Sequence, residues 1–261
     1  MIFSGGQDMV DTHCHLLLEE YQTEEHLKEI IEHMKDHKMI TASTNRKNID
    51  ETLNIVNNYE NVYGVIGIHP DSVNDGTEEN LNDIEEHLHD EKIVGIGEIG
   101  LDYHYSKEDR EKQIELFRKQ LLLAKKYHLP CVIHSRDALE DTYHILKDVI
   151  DGSFPVILHC YGYSVEMAKE FLKLGVFFGI GGVVTFKNSK KLVEVVKEIP
   201  LEHLLLETDS PYLSPEPYRG KENEPARLIY IAEKIAQIKN IKVEKVLEIT
   251  TKTAIRQFDL A

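Results

Sequence analysis

His13 and His15 stand two residues apart in the run MVDTHCH. Residues i and i+2 of an extended segment point to the same side, so two imidazoles at this spacing can grip one cation. Four further ligand-type residues close apolar runs: Glu98 in IVGIGE, His134 in CVIH, His159 in PVILH and Asp209 in HLLLETD. Imidazole nitrogens and carboxylate oxygens are ordinary donors to zinc, manganese or magnesium. A carboxylate has two oxygens, so Glu98 can bridge two cations. A pair of divalent ions lowers the pKa of water from about 15.7 towards ~7 and stabilises attacking and leaving oxygens, which is the chemistry of hydrolysis. In that scheme Asp209 is expected to be both ligand and proton acceptor, with Glu98 setting the spacing between ions. Each residue also has a plainer reading. Glu98 can be a buried carboxylate paired with Arg136 or a neighbouring histidine, His134 and His159 can be satisfied core histidines, and Asp209 can cap the turn at Ser210 and Pro211. Recurrence of such residues after successive β-rich runs is what favours ligation.

The elements that must position them are legible as eight short apolar runs, beginning at Met9, Met39, Val62, Ile93, Cys131, Pro155, Val176 and His203. Amphipathic segments lie between them. Over residues 110–128, Ile114, Phe117, Leu121 and Ala124 repeat at helical spacing, and another helical pattern starts at Pro225 and runs through Leu228, Ile231, Ile235 and Ile238. Near-continuous apolar strands alternating with helices indicate a parallel sheet covered on both faces. Eight such units predict a (β/α)8 TIM barrel, an α/β fold in a single domain over residues 1–261. The alternative is an open doubly wound sheet, but no glycine-rich phosphate fingerprint follows the first strand. In a barrel all six candidate ligands project from the C-terminal rim, where active sites of such enzymes are built. His69, which precedes Pro70, can contact substrate or fix its loop, and His104, Asp102 and Tyr103 beyond Glu98 are open in the same way. His26, His33, His37, His87 and His89 lie in charged helical stretches and read as solvated faces.

Thirty basic against forty-six acidic residues give a net charge of −16, which opposes non-specific attraction to nucleic acid or anionic membrane. A polyanion must therefore be held locally, and bound cations can supply that attraction. No run approaches the roughly 18 apolar residues of a membrane span. The start MIFSGGQD has neither the basic nor the apolar region of a signal peptide. Cys14, Cys131 and Cys160 are an odd number in apolar surroundings, which reads as small buried side chains in a reducing compartment. A cytoplasmic location without membrane contact is expected, and no segment points to an obligatory protein partner.

The motifs DTHCHL from Asp11, GIHP from Gly67, GEIGLDYH from Gly97, VIHSRDA from Val132, HCYGYS from His159 and LLETDSPYLSPEPYRGKENEP from Leu205 span nearly the whole chain in order. Together they resemble the TatD-like metal-dependent deoxyribonucleases. The resemblance implies a (β/α)8 barrel, two divalent ions and hydrolysis of phosphodiester bonds in DNA; the acidic surface favours small substrates or strand ends over long duplex, so DNA or a DNA end is the expected substrate. Carried over residue by residue, it implies His13, His15 and Asp209 on one ion, His134 and His159 on the other, and Glu98 between both. Leu17, the HCYGYS run and Thr253 depart from the family's usual residues. None of these departures removes a ligand, although Leu17 and Tyr161 lie beside candidate ligands and can reshape the substrate pocket. The first eight residues fall outside the resemblance and read as a flexible leader. Arg136, Arg219 and Lys221 are candidates to hold a phosphate, arginine most readily through bidentate contacts. The same metal site would also activate water towards a carbonyl, so an amide or ester hydrolase, such as a deacylase acting on aminoacyl-tRNA, is the competing enzyme reading. A non-catalytic binding protein on the barrel scaffold is the other.

Overall fold

Runs dense in Val, Ile, Leu and Phe become the strands, since such side chains pack well on a sheet buried on both faces. A computed structural model describes residues 8–104 and 109–261. Its strands are β1 (Val10–Cys14), β2 (Lys38–Ala42), β3 (Val62–Ile66), β4 (Ile93–Asp102), β5 (Cys131–Arg136), β6 (Val156–Leu158), β7 (Phe177–Ile180) and β8 (Leu204–Leu206). All pair in parallel and in sequential order, the topology of a barrel and not the reversed order of a doubly wound sheet. The helices are α1 (Leu18–Tyr21), α2 (Glu24–Glu32), α3 (Arg46–Asn58), α4 (Glu78–His87), α5 (Arg110–Tyr127), α6 (Leu139–Val149), α7 (Val165–Lys173), α8 (Lys190–Glu198), α9 (Leu228–Lys239) and α10 (Val243–Phe258). Thr23, Asn45, Thr77 and Ser164 start α2, α3, α4 and α7 by accepting an N–H of the first turn, the usual remedy for its unpaired donors. The helical pattern read from Pro225 opens as a 3-10 turn, Pro225–Arg227, before α9.

The ring closes differently at its seam. Between β8 and β1 the Thr12 hydroxyl donates to the Leu206 carbonyl at 3.0 Å, the Asp209 N–H to the His13 carbonyl at 2.9 Å, and the His15 N–H to the Ser210 carbonyl at 2.8 Å. Buried Asp11 reinforces this seam by accepting both the N–H and the hydroxyl of Thr208. The first and last strands thereby deliver His13, His15 and Asp209 to one place.

Side chains such as Ile40, Val65, Val132, Ile157, Phe177 and Leu205 form one apolar cluster, joined by Phe258 and Leu260 from the C-terminal end. A larger cluster lies between strands and helices. Val132 and His134, Ile157 and His159, and Leu205 and Glu207 share parity along their strands. Each inner apolar residue is thus followed two positions on by an ionisable one facing the same way. Among the described residues no helix is long and apolar enough to cross a membrane. Of the expected leader, residues 1–7 lie outside the described residues, while the Asp8 carbonyl accepts a hydrogen bond from Thr251.

Candidate metal centre

The six expected ligands converge. Glu98 and His134 sit within β4 and β5 and not at their ends, because both strands run further than their apolar runs suggest. Gly100, Leu101 and Asp102 pair in register with His134, Ser135 and Arg136. Gly100 permits this, since it has φ 141° and a Cβ there would stand 2.0 Å from the His134 carbonyl oxygen. Asp209 and Cys160, next to His159, both have left-handed backbones, with φ 54° and 45°. Such conformations in non-glycine residues store strain and concentrate at functional sites.

Four donor atoms form one compact group. His13 Nε2 lies 3.3 Å from His15 Nε2, 3.4 Å from Glu98 Oε2 and 3.8 Å from Asp209 Oδ1. His15 Nε2 is 3.8 Å from Glu98 Oε2 and 3.4 Å from Asp209 Oδ1. Donors around a tetrahedral ion with bonds of about 2.1 Å stand about 3.4 Å apart, so this spacing fits a divalent cation. The proton inventory agrees. His15 Nδ1 faces the Ala42 carbonyl at 3.2 Å, so in the neutral ring Nδ1 carries the hydrogen and Nε2 offers a lone pair to the group.

The other Glu98 oxygen faces a different set. Oε1 lies 2.8 Å from His134 Nδ1, 3.7 Å from His69 Nε2 and 3.8 Å from His159 Nε2. His13–His15–Asp209, His13–Glu98–His159 and His69–Glu98–His134 form compact triads, and His159 borders both groups, its Nε2 also 3.9 Å from Asp209 Oδ1. His134 and His159 both approach Glu98 Oε1, with near-parallel rings whose centroids are 6.4 Å apart.

Outer carboxylates orient both of these rings. His134 Nε2 meets Asp102 Oδ2 at 2.9 Å, which leaves Nδ1 aimed at Glu98. His159 Nδ1 lies 3.1 Å from Glu207 Oε1, close enough for strong charge attraction although the angle falls short of a hydrogen bond. Such carboxylate–histidine pairs fix ring orientation and raise ligand basicity in metal sites. The electrostatics follow the same layout. Burial alone would lower His159, but Glu207, Glu98 and Asp209 outweigh it and hold the ring up at about 10. Burial likewise opposes protonation of His134, yet Asp102 and Glu98 raise it to about 9. Glu98 and Asp209 stay below the ordinary carboxylate range despite burial, because the surrounding histidines stabilise their charge. His13, buried and next to His159, is lowered. The cluster therefore keeps its carboxylates ionised and attracts positive charge.

The profile of the TatD related DNase family matches residues 10–259. The chain belongs to the TatD family. It is 45% identical over 253 residues to the metal-dependent hydrolase YabD of Bacillus subtilis, covering 96% of this chain and 98% of that protein. It is 34% identical over 256 residues to the metal-dependent hydrolase YcfH of Escherichia coli, covering 97% and 96%. Among solved structures, the TatD homologue YjjV of Escherichia coli superposes with a TM-score of 0.88 at 26% identity, covering 97% of this chain and 98% of that one. This TatD-family protein is accordingly a metal-dependent hydrolase.

Of the candidate substrate contacts in this TatD-family chain, His69 joins the cluster. Its Nδ1 accepts the Asp71 N–H at 3.1 Å, so the neutral ring carries its hydrogen on Nε2, towards Glu98. Burial lowers its pKa to about 4, which keeps it neutral. His69 is therefore a hydrogen-bond donor and not a further lone pair. Arg136 ends β5 at the rim; burial pushes Asp102 up, but the His134 and His104 hydrogen bonds, with the charges of His134 and Arg136, outweigh it and hold Asp102 low. His104 lies on the rim with Nδ1 2.8 Å from Asp137 Oδ2. Tyr161 corrects the expectation of a substrate contact. Its ring packs against Phe178 and Phe171, and its hydroxyl donates to the Ser164 carbonyl at 2.9 Å. The left-handed turn at Cys160 breaks the strand alternation, so Tyr161 does not follow His159 into the site. Arg219 is exposed, its guanidinium 4.3 Å above the Phe186 ring, and no described hydrogen bond joins it to the donor group. Lys221 points its ammonium at the Tyr218 ring, 5.8 Å away. Sequence reasoning assigned no role to Glu207 or Asp11. Both are buried, Asp11 within β1 and Glu207 directly after β8, and a carboxylate adjoining an apolar run is the one signal that marks them.

Proposed function

We propose that this protein is a deoxyribonuclease that hydrolyses phosphodiester bonds with two divalent ions, zinc, manganese or magnesium, held by His13, His15, Glu98, His134, His159 and Asp209. The observation that carries the reading is Glu98, whose two oxygens face two different sets of imidazoles. That arrangement suits an in-line displacement at phosphorus, where entering and leaving oxygens both need neutralising. The description of the matching family as TatD related DNase supports DNA as the substrate. When bound, divalent cations supply Lewis acidity, bringing the deprotonation of water into range near neutral pH and neutralising charge on the substrate. Asp209 takes the proton from the attacking water. Its side chain is 14% exposed, against 4% for Glu98, so it is the carboxylate of the group that water reaches more readily. His69 donates its Nε2–H to a substrate oxygen, and Asp102 and Glu207 hold the histidine rings in place. Arg136 supplies positive charge at the rim.

The test is cleavage of end-labelled single-stranded DNA, duplex DNA and a panel of carboxylic esters by protein stripped with chelator and then reloaded. The expected result is DNA cleavage lost on stripping and restored by divalent metal. Full activity after verified metal removal would contradict the mechanism, and vigorous ester cleavage without phosphodiester cleavage would replace the substrate class.

A further inference from the structure

Five large apolar side chains stand exposed among the described residues: Leu18, Leu122, Tyr212, Leu213 and Ile241. Single exposed apolar residues are common and need no explanation. Three of these five, however, lie in the segments that follow β1 and β8, the strands that deliver His13, His15 and Asp209. Tyr212 is 50% exposed, yet it is held firmly. Its N–H donates to the Asp209 carbonyl at 2.8 Å, its carbonyl accepts from Asn223 at 2.7 Å, and its hydroxyl reaches both oxygens of Glu20 at 2.8 and 2.7 Å. Its ring meets the His15 ring in a T-shaped arrangement, with centroids 6.1 Å apart at 68°.

Leu213 is held by the backbone. It adopts φ 51°, a left-handed conformation costly for a branched side chain, and is 38% exposed. Gly182, in the turn after β7, accommodates the Leu213 carbonyl so closely that a Cβ on Gly182 would lie 2.1 Å from that oxygen. An aromatic ring and an aliphatic side chain are thus kept in water beside a catalytic carboxylate, at the cost of backbone strain and a buried amide. An observed strain of this kind motivates a functional reading.

We propose that Tyr212, with Leu213 beside it, is the platform on which the nucleobase adjoining the cleaved phosphodiester stacks, and so a specificity-determining residue. This rests on the phosphodiester reading above. Every base has a π face, so stacking on one ring gives affinity for nucleotides without sequence preference. Glu20, which accepts from the hydroxyl, fixes the ring at its edge.

The test measures binding to the manganese-loaded protein by calorimetry, with metal content checked in every preparation. The ligands are thymidine bisphosphate, which has no phosphodiester bond to cleave, and the same sugar bisphosphate with hydrogen in place of the base. Wild-type protein should bind the base-bearing ligand roughly 5- to 150-fold more tightly, the range for stacking one base. Tyr212→Ala should bring that ratio near one while leaving the affinity for the baseless ligand unchanged, and Tyr212→Phe should retain it. Leu213→Ser should lower the ratio in part. The proposal is overturned by a wild-type ratio near one, by failure of thymidine bisphosphate to bind, by a ratio that survives Tyr212→Ala, or by equal loss of both ligands, which would mark a merely structural residue. Failure of the phosphodiester reading would appear separately, as absence of DNA cleavage.

Discussion

The proposed function gives Asp209 two jobs, ligand and proton acceptor, and substitution separates them. Asp209→Asn keeps the side-chain shape and one oxygen donor but removes the charge and most of the basicity. If Asp209 accepts the proton of water, kcat should fall by about 10² to 10⁴ in protein whose metal occupancy is verified. Near-normal turnover in fully metallated Asp209→Asn would contradict that role. Glu207 acts one step further out, through His159. Glu207→Gln keeps an acceptor for the Cys160 N–H, which Glu207 Oε1 now meets at 2.7 Å, but removes the charge beside His159. Metal affinity should fall by about 10- to 100-fold, measured by chelator competition, with circular dichroism unchanged. Unaltered affinity would show that His159 needs no carboxylate behind it. The candidate ligands were legible because each is an ionisable residue closing an apolar run. Glu207 was not, since its partner His159 is 48 positions earlier (207 − 159) and meets it only through the fold. Tyr161 misled for a local reason: proximity to His159 in sequence carries a side chain into the site only while the backbone remains extended, and Cys160 is not extended.

The elements show a similar division. Strand cores were legible from their apolar runs, and the helix over residues 110–128 appears as Arg110–Tyr127. Strand ends were less so. The run IVGIGE ends at a glycine-flanked Glu98, yet β4 continues to Asp102 because β5 offers His134, Ser135 and Arg136 as partners. Propensity favours a break there, and pairing overrides it. This extension makes Gly100 a test of how β4 and β5 hold the site. Gly100→Ala puts a methyl group 2.0 Å from the His134 carbonyl oxygen, on a backbone with positive φ. The expected cost is at least about 1–3 kcal/mol in chemical denaturation, with weaker metal binding because His134 must shift. A variant with wild-type stability and metal affinity would mean that the close approach of β4 and β5 is not needed.

For the whole molecule, eight β/α units predicted closure, and closure is what turns residues from both ends of the chain into neighbours. The seam itself was not legible. Its hydrogen bonds run from Thr12, His15 and Asp209 to single carbonyls across the gap, a pattern without sequence periodicity. At a net charge of −16 the surface gives a polyanion little general attraction, so binding must come from the centre and its immediate rim. The central question is whether one buried carboxylate serves two cation sites. Metal content and affinity of wild-type and Glu98→Ala protein, measured by mass spectrometry and chelator competition with folding checked by circular dichroism, test this most directly. About two divalent ions per wild-type chain are expected and, in folded Glu98→Ala, loss of affinity at both sites by more than about tenfold. Folded Glu98→Ala that retains both ions at wild-type affinity would contradict this expectation.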